Sequence, residues 1–218
     1  MFHLIKKDIL VQKHALLISI ALIIFFSISL SSLGPVGMTV GIITITYQLV
    51  LGASALEEKA NSDIILISLP IKKHTIVLSK YLSVYVFAAY AILGFCLLYL
   101  IAQVLNLPIQ LTVTPTAIAG SLVAITVLFS VSFPLIFKFG YIKSKIVNIL
   151  ILFVLIFGGT MMIGNLAQNE QSDLRQKALE LIQEGAQLQI ILLVLIPLAL
   201  IFAASYFLSL RFYKNREF

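Results

Sequence analysis

Apolar residues in this chain come in runs about as long as a bilayer is thick. Six stretches, at 15–31, 36–56, 81–105, 115–136, 147–166 and 189–210, contain no Asp, Glu, Lys, Arg or His. A hydrocarbon core of ~30 Å requires about 20 helical residues. The pattern therefore predicts an all-α, polytopic membrane protein with six transmembrane helices, built as a single transmembrane domain over residues 1–218. Polar residues gather elsewhere, at 1–14, 57–80, 137–146, 168–187 and the C-terminal end.

The joints between runs are legible. Between the first two spans stands Ser-Ser-Leu-Gly-Pro-Val-Gly, whose Gly34 and Pro35 end one helix and start the next, giving an antiparallel hairpin. Thr114 and Pro115 mark another helix start. Pro134 and Pro197 predict kinks, and Gly158, Gly159 and Gly164 predict close approaches in the fifth span. In the second span Gly37, Gly41, Thr44, Gln48, Gly52 and Ala55 recur every three or four residues and share one face. Such a face meets protein or water rather than lipid. Helix or dimer packing and a substrate path both fit it.

Two segments outside the spans read as amphipathic helices. In residues 1–14, His3, Lys6, Lys7, Lys13 and His14 lie on one side, with Phe2, Leu4, Ile5, Ile9 and Val11 mostly opposite. That is an interfacial helix or a plain basic anchor for the first span, and Asp8 and Gln12 interrupt its apolar side. Residues 168–187 gather Leu174, Leu181 and Ile182 against Asp173, Lys177 and Glu180. This second helix is either an ordinary interfacial element or an exterior gate over a path between subunits.

Composition agrees with the pattern: 61% of the 218 residues are hydrophobic and 11% are charged, with a mean hydropathy of +1.09, whereas soluble domains are about a quarter charged. The formal net charge is +6, and its placement matters more than its size. Of the fifteen Lys and Arg, only Arg175 and Lys177 fall on one side of the predicted topology. The asymmetry places both termini and the 57–80 loop in the cytoplasm, and the basic balance needs no nucleic acid to explain it.

Catalytic signatures fail one by one. Cys96 stands alone, which rules out an intrachain disulfide. No His-Glu-x-x-His occurs, and no Gly-x-x-x-x-Gly-Lys-Ser/Thr loop to cradle nucleotide phosphates. The Glu57-Glu58 pair invites comparison with intramembrane CAAX-type proteases, but Ser62 occupies their arginine position. The expectation is a non-enzyme that binds no cofactor or metal itself. With no charge inside the spans to couple to an ion gradient, its energy must arrive through the aqueous loops.

The loop at 57–80 then becomes specific. An acidic pair, Glu57-Glu58, is followed by Ile-Leu-Ile-Ser-Leu-Pro-Ile, by basic residues, and by Ile-Val-Leu-Ser-Lys-Tyr-Leu leading into the third span. This resembles the ABC-2 type permeases of ATP-binding-cassette transporters, in particular the small six-span permeases of Gram-positive bacteria. The resemblance implies a multi-pass subunit in a bacterial cell membrane, paired with a second permease copy or paralogue. ABC ATPase subunits carrying ATP and Mg would dock from below. It also implies that 60–69 is the coupling helix, with Glu57 and Glu58 as its acidic first turn and Asp63 beside them. Ile64, Ile65, Leu66 and Leu69 would be its buried anchors, Pro70 its corner, and Lys72 and Lys73 the start of the return. The N-terminal helix would touch the ATPase, and Leu174, Leu181 and Ile182 would belong to an exterior gate. The cargo implied is an amphipathic peptide, as in phenol-soluble modulin exporters. The competing reading is a membrane immunity or scaffold protein that transports nothing.

Overall fold

A computed structural model describes residues 2–60, 72–105, 113–168 and 187–215. Seven helices follow in order: α1 Phe2–Val11, α2 Lys13–Ser29, α3 Pro35–Lys59, α4 Lys73–Val104, α5 Pro115–Phe139, α6 Tyr141–Gln168 and α7 Gln187–Asn215. A 3-10 turn, Ser31–Leu33, joins α2 to α3. No strand occurs among the described residues.

Local chemistry sets the helix ends. Gly34 takes a positive φ of 56°, open to glycine at little cost, and hands the chain to Pro35, whose missing N–H costs nothing at a first helical position. The Thr114 hydroxyl accepts a hydrogen bond from the Ala117 N–H at 3.3 Å, capping α5. Gly140, at φ 83°, separates α5 from α6. Pro134 and Pro197 lie inside continuous helices, so neither ends its span.

Five helices, α3 to α7, are each long and apolar enough to cross a membrane, and α2 qualifies only together with α1, from which it is bent by 66°. The 17 residues of α2 reach about 25 Å at ~1.5 Å each, short of a full hydrocarbon core. Several bounds differ from the sequence reading. Helix α3 runs on to Lys59, and α4 begins at Lys73 rather than at 81, so the connection between them is confined to 60–72. The reason is physical: Lys80 stays helical because its ammonium finds buried carboxylates, described below, and needs no aqueous loop.

Helix α3 is the axis of the bundle, packing against α2, α4, α5 and α6. Most of the apolar length of α3 is buried within the bundle, whereas α6 and α7 are largely exposed on the chain alone. The outer faces of α6 and α7 carry Ile146, Val154, Phe157, Leu193, Leu200 and Phe207, all exposed on the chain as it stands alone. In a bilayer such faces meet acyl chains. Inside, Tyr81 joins three helices: its hydroxyl lies 2.6 Å from Ser205 Oγ and 2.8 Å from Ser209 Oγ, and Ser205 Oγ donates to the Ser130 carbonyl at 2.6 Å. Because Ser205 gives its proton to that carbonyl, Tyr81 donates to Ser205 and accepts from Ser209. The ring of Tyr81 packs on Phe133, Phe202 and Tyr206, so the hydroxyl chain sits in an apolar sleeve where no water competes for it.

Candidate functional site

One end of the bundle collects α1, the C-terminal ends of α3, α5 and α7 and the N-terminal ends of α4 and α6, and it holds most of the described lysines. At its centre four side chains close a ring of alternating charge. Lys80 Nζ lies 3.3 Å from both Asp8 oxygens and 2.5 Å from Glu57 Oε2. Lys7 pairs with Glu57 Oε1 and stands 3.6 Å from Asp8 Oδ1. Asp8 is 2% exposed, and Glu57 and Lys80 8% each. Four charges that sum to zero, each facing two of opposite sign, are what permits ions to be buried at all. For Asp8, burial is the strongest influence and pushes its carboxyl above the ordinary carboxylate range, as does the Glu57 charge, while Lys80 and Lys7 oppose it.

Around the ring stand further ties between distant segments. Gln12, at the joint between α1 and α2, donates through Nε2 to the Leu49 carbonyl, and it lies beside Gly52, where a Cβ would make an ordinary contact with that Nε2 at 3.4 Å. Glu58 turns the other way and accepts from the backbone N–H groups of Tyr141 and of Ile142, the latter at 3.2 Å. A carboxylate at these unsatisfied N–H groups caps the positive end of the α6 dipole. Lys73 reaches the Lys214 carbonyl at 3.4 Å, and Lys138 lies over Phe139 and Phe212, 4.9 and 5.3 Å from the ring centroids. A cavity of about 40 Å3 beside the ring is lined by Ser54, Glu57, Glu58, Lys80, Phe137 and Tyr141, among others.

The structure thus moves two predicted residues. Glu57 and Glu58 are not the acidic first turn of a coupling helix; they close the last turn of α3, where the dipole disfavours anions. Lys80 and Lys7 for Glu57, and the α6 N-terminus for Glu58, offset that penalty. Asp8 on α1 and Gln12 just beyond it, which in the sequence interrupt the apolar side of that segment, prove with Lys7 to fasten it to the bundle. The available signal was their i,i+4 spacing, two polar residues on one face of an otherwise apolar turn. Lys72 precedes α4 and Lys73 opens it. Asp63, Ile64, Ile65, Leu66, Leu69 and Pro70 lie outside the described residues, as do Leu174, Leu181 and Ile182.

The small-residue face of α3 divides along its length. At Gly37 a Cβ would stand 2.2 Å from the Leu30 carbonyl oxygen, and at Gly41 2.5 Å from the Phe95 ring, so both glycines admit close neighbours. Thr44, Gln48 and Gly52 instead border an open groove against α6. A second groove of about 400 Å3 lies toward the opposite end, between α3, α5 and α6, where Pro35, Thr39, Ile43, Thr116, Gly120 and Gly159 contribute to its walls.

The helices and their fastened end define a polytopic, all-α membrane protein whose ionic chemistry, among the described residues, is concentrated at one end of the bundle. A family model described as "ABC-2 family transporter protein" matches residues 3–214, and the chain belongs to that family. It is a membrane permease component of an ABC transporter, and the family implies ABC ATPase subunits as its partners. No curated protein and no solved structure matches the chain.

Proposed function

We propose that this permease exports an amphipathic peptide or similar hydrophobic cargo, using ATP and Mg held by a separate ATPase subunit and pairing with a second permease chain. The observation that carries the reading is the ring of four charges, because it fastens α1 to the roots of the chain on both sides of 60–72. A push delivered to that connection moves α1, α3 and α4 as one block instead of being absorbed locally. The basic asymmetry supports a cytoplasmic location for this end and for both termini. In this reading Ile64, Ile65, Leu66 and Leu69 seat in the ATPase, Asp63 orients them and Pro70 turns the chain toward α4. Leu174, Leu181 and Ile182 serve the exterior gate. The outer groove, apolar with the hydroxyls of Thr39, Thr116 and Thr160 on its walls, suits an amphipathic chain better than an ion or a sugar.

Co-purification with the partner ATPase, followed by peptide-stimulated ATP hydrolysis in proteoliposomes, tests this. Burying a Leu or Ile contributes about 1.5–3 kcal/mol, and ~1.4 kcal/mol is tenfold in affinity. Ile65→Ser/Leu66→Ser should therefore weaken ATPase association by about two orders of magnitude and abolish stimulation, while Lys143→Ser leaves both intact. Unchanged association in the double variant removes 60–69 as the coupling element. Failure of the unmodified chain to bind any ABC ATPase favours the immunity or scaffold reading instead.

A further inference from the structure

A groove of about 370 Å3 runs between α3 and α6 at the basic end, with Tyr47, Leu51, Tyr141, Lys145, Ile149 and Leu152 among its walls. Its chemistry is graded. Lys145 and Tyr141 stand at the mouth, in the first turns of α6, with Leu51, Ile149 and Leu152 deeper in. From Lys145 to Leu152 is about 10 Å along the helix at ~1.5 Å per residue.

Two groups in it are left without partners. Lys145 is exposed and makes no ion pair among the described residues, whereas Lys7 and Lys80 are both paired. Tyr47 is 9% exposed, and its hydroxyl has no hydrogen-bond partner among the described residues. A buried hydroxyl left unpaired is costly and is normally satisfied by something. Nor does the ring take part in the aromatic cluster around Tyr81, so the hydroxyl, not stacking, is what its place in the groove leaves to be satisfied.

We infer that this groove binds one anionic phospholipid of the adjoining leaflet. Lys145 and the Tyr141 hydroxyl take the phosphate, the Tyr47 hydroxyl donates to an ester carbonyl of the glycerol backbone, and an acyl chain lies on Leu51, Ile149 and Leu152. Charge complementarity and position argue for lipid over other occupants. Lys145 stands two residues before the charge-free run at 147–166, the place in a span where lipid phosphates are abundant, and the walls turn apolar along that run, the direction an acyl chain takes. A lipid wedged there would set the spacing of α6 from the α3 axis, next to the Glu58 cap.

The test uses the full chain in nanodiscs of phosphatidylcholine doped with phosphatidylglycerol, with native mass spectrometry counting the lipids that stay bound. The unmodified chain should retain phosphatidylglycerol in preference to phosphatidylcholine. Lys145→Gln should cut that preference by about tenfold, the scale of one charge-assisted contact, and Lys145→Arg should restore most of it. Tyr47→Phe should lower retention of both lipids several-fold, while Lys143→Gln, exposed and outside the groove, changes nothing. Equal retention by Lys145→Gln and Lys143→Gln overturns the assignment. So does displacement of the lipid by an amphipathic peptide with a free carboxylate whose own binding is lost in Lys145→Gln, because the groove would then be a cargo site.

Discussion

The two ends of the bundle are held together by different physics. At the basic end, contacts are ionic and directional and link residues far apart in sequence: Asp8 to Lys80, Lys7 to Glu57, Glu58 to Tyr141. Toward the other end the contacts of α3 with α5 and α6 are mostly apolar, with one hydrogen bond from the Thr39 hydroxyl to the Ala117 carbonyl at 3.3 Å, and space is left over. A Cβ at Gly120, Gly158 or Gly159 would meet nothing within 4 Å. An ion pair buried in low dielectric cannot be half opened without stranding a charge, so the basic end behaves as one piece. Apolar faces slide with little penalty, so the groove end is free to change shape. The division suits a machine that receives force at one end and yields at the other.

Removing one member of the ring should have the largest effect. Lys80→Met keeps most of the volume but leaves Asp8 and Glu57 facing each other with Lys7 alone to neutralise them. Breaking a buried pair from one side typically costs about 3–5 kcal/mol, enough to lower the melting temperature in detergent sharply or to abolish purification of folded protein. Lys80→Met combined with Asp8→Leu removes one charge of each sign and should recover a substantial part of the loss. If Lys80→Met melts like the unmodified chain, the ring does not fasten this end.

At the other end, glycines discriminate by what faces them. Gly37→Ala drives a methyl group against the Leu30 backbone oxygen, which cannot rotate away, and overpacking of this kind costs roughly 1–3 kcal/mol. Gly120→Ala enters open space in the groove and gains helix propensity, so its stability should be unchanged or higher by up to ~1 kcal/mol. Thermal denaturation of the two variants side by side checks the contrast. A Gly120→Ala loss as large as that of Gly37→Ala would mean that the groove is closed.

How much of this was readable beforehand depended on the range over which each signal acts. Span positions follow from runs of about twenty residues, and the Gly34-Pro35 and Thr114-Pro115 starts from neighbours in the chain, so both were visible. The meaning of Asp8 was not, since its partner Lys80 lies 72 residues away and no local pattern announces it. Glu57 misled for the same reason. An acidic pair before a loop reads as the start of something new, and only the fold reveals that Lys7 and Lys80 converge on it. The division of the α3 face at Thr44 likewise depended on where α6 lies, a placement that periodicity within α3 does not contain.

The smallest effect separates the two acidic neighbours at the end of α3. Glu57 sits in the ring, whereas Glu58 accepts from the first N–H groups of α6 and has no ion pair among the described residues. Glu58→Gln keeps an acceptor oxygen in place and removes the charge, leaving the hydrogen bonds but losing the attraction between a carboxylate and the helix dipole. That attraction is worth about 0.3–1 kcal/mol at an exposed terminus and up to ~2 kcal/mol when partly buried, and Glu58→Ala should forfeit the cap as well, about 1 kcal/mol more. Since the cap touches α6 alone, both variants should leave the hold of α1 on the bundle intact. Hydrogen exchange can read the two effects separately: the Tyr141 and Ile142 amides should exchange faster in Glu58→Gln and faster still in Glu58→Ala, with the α1 amides unaltered. Faster exchange in α1 as well would show that Glu58 and the ring form one cooperative unit that extends into α6.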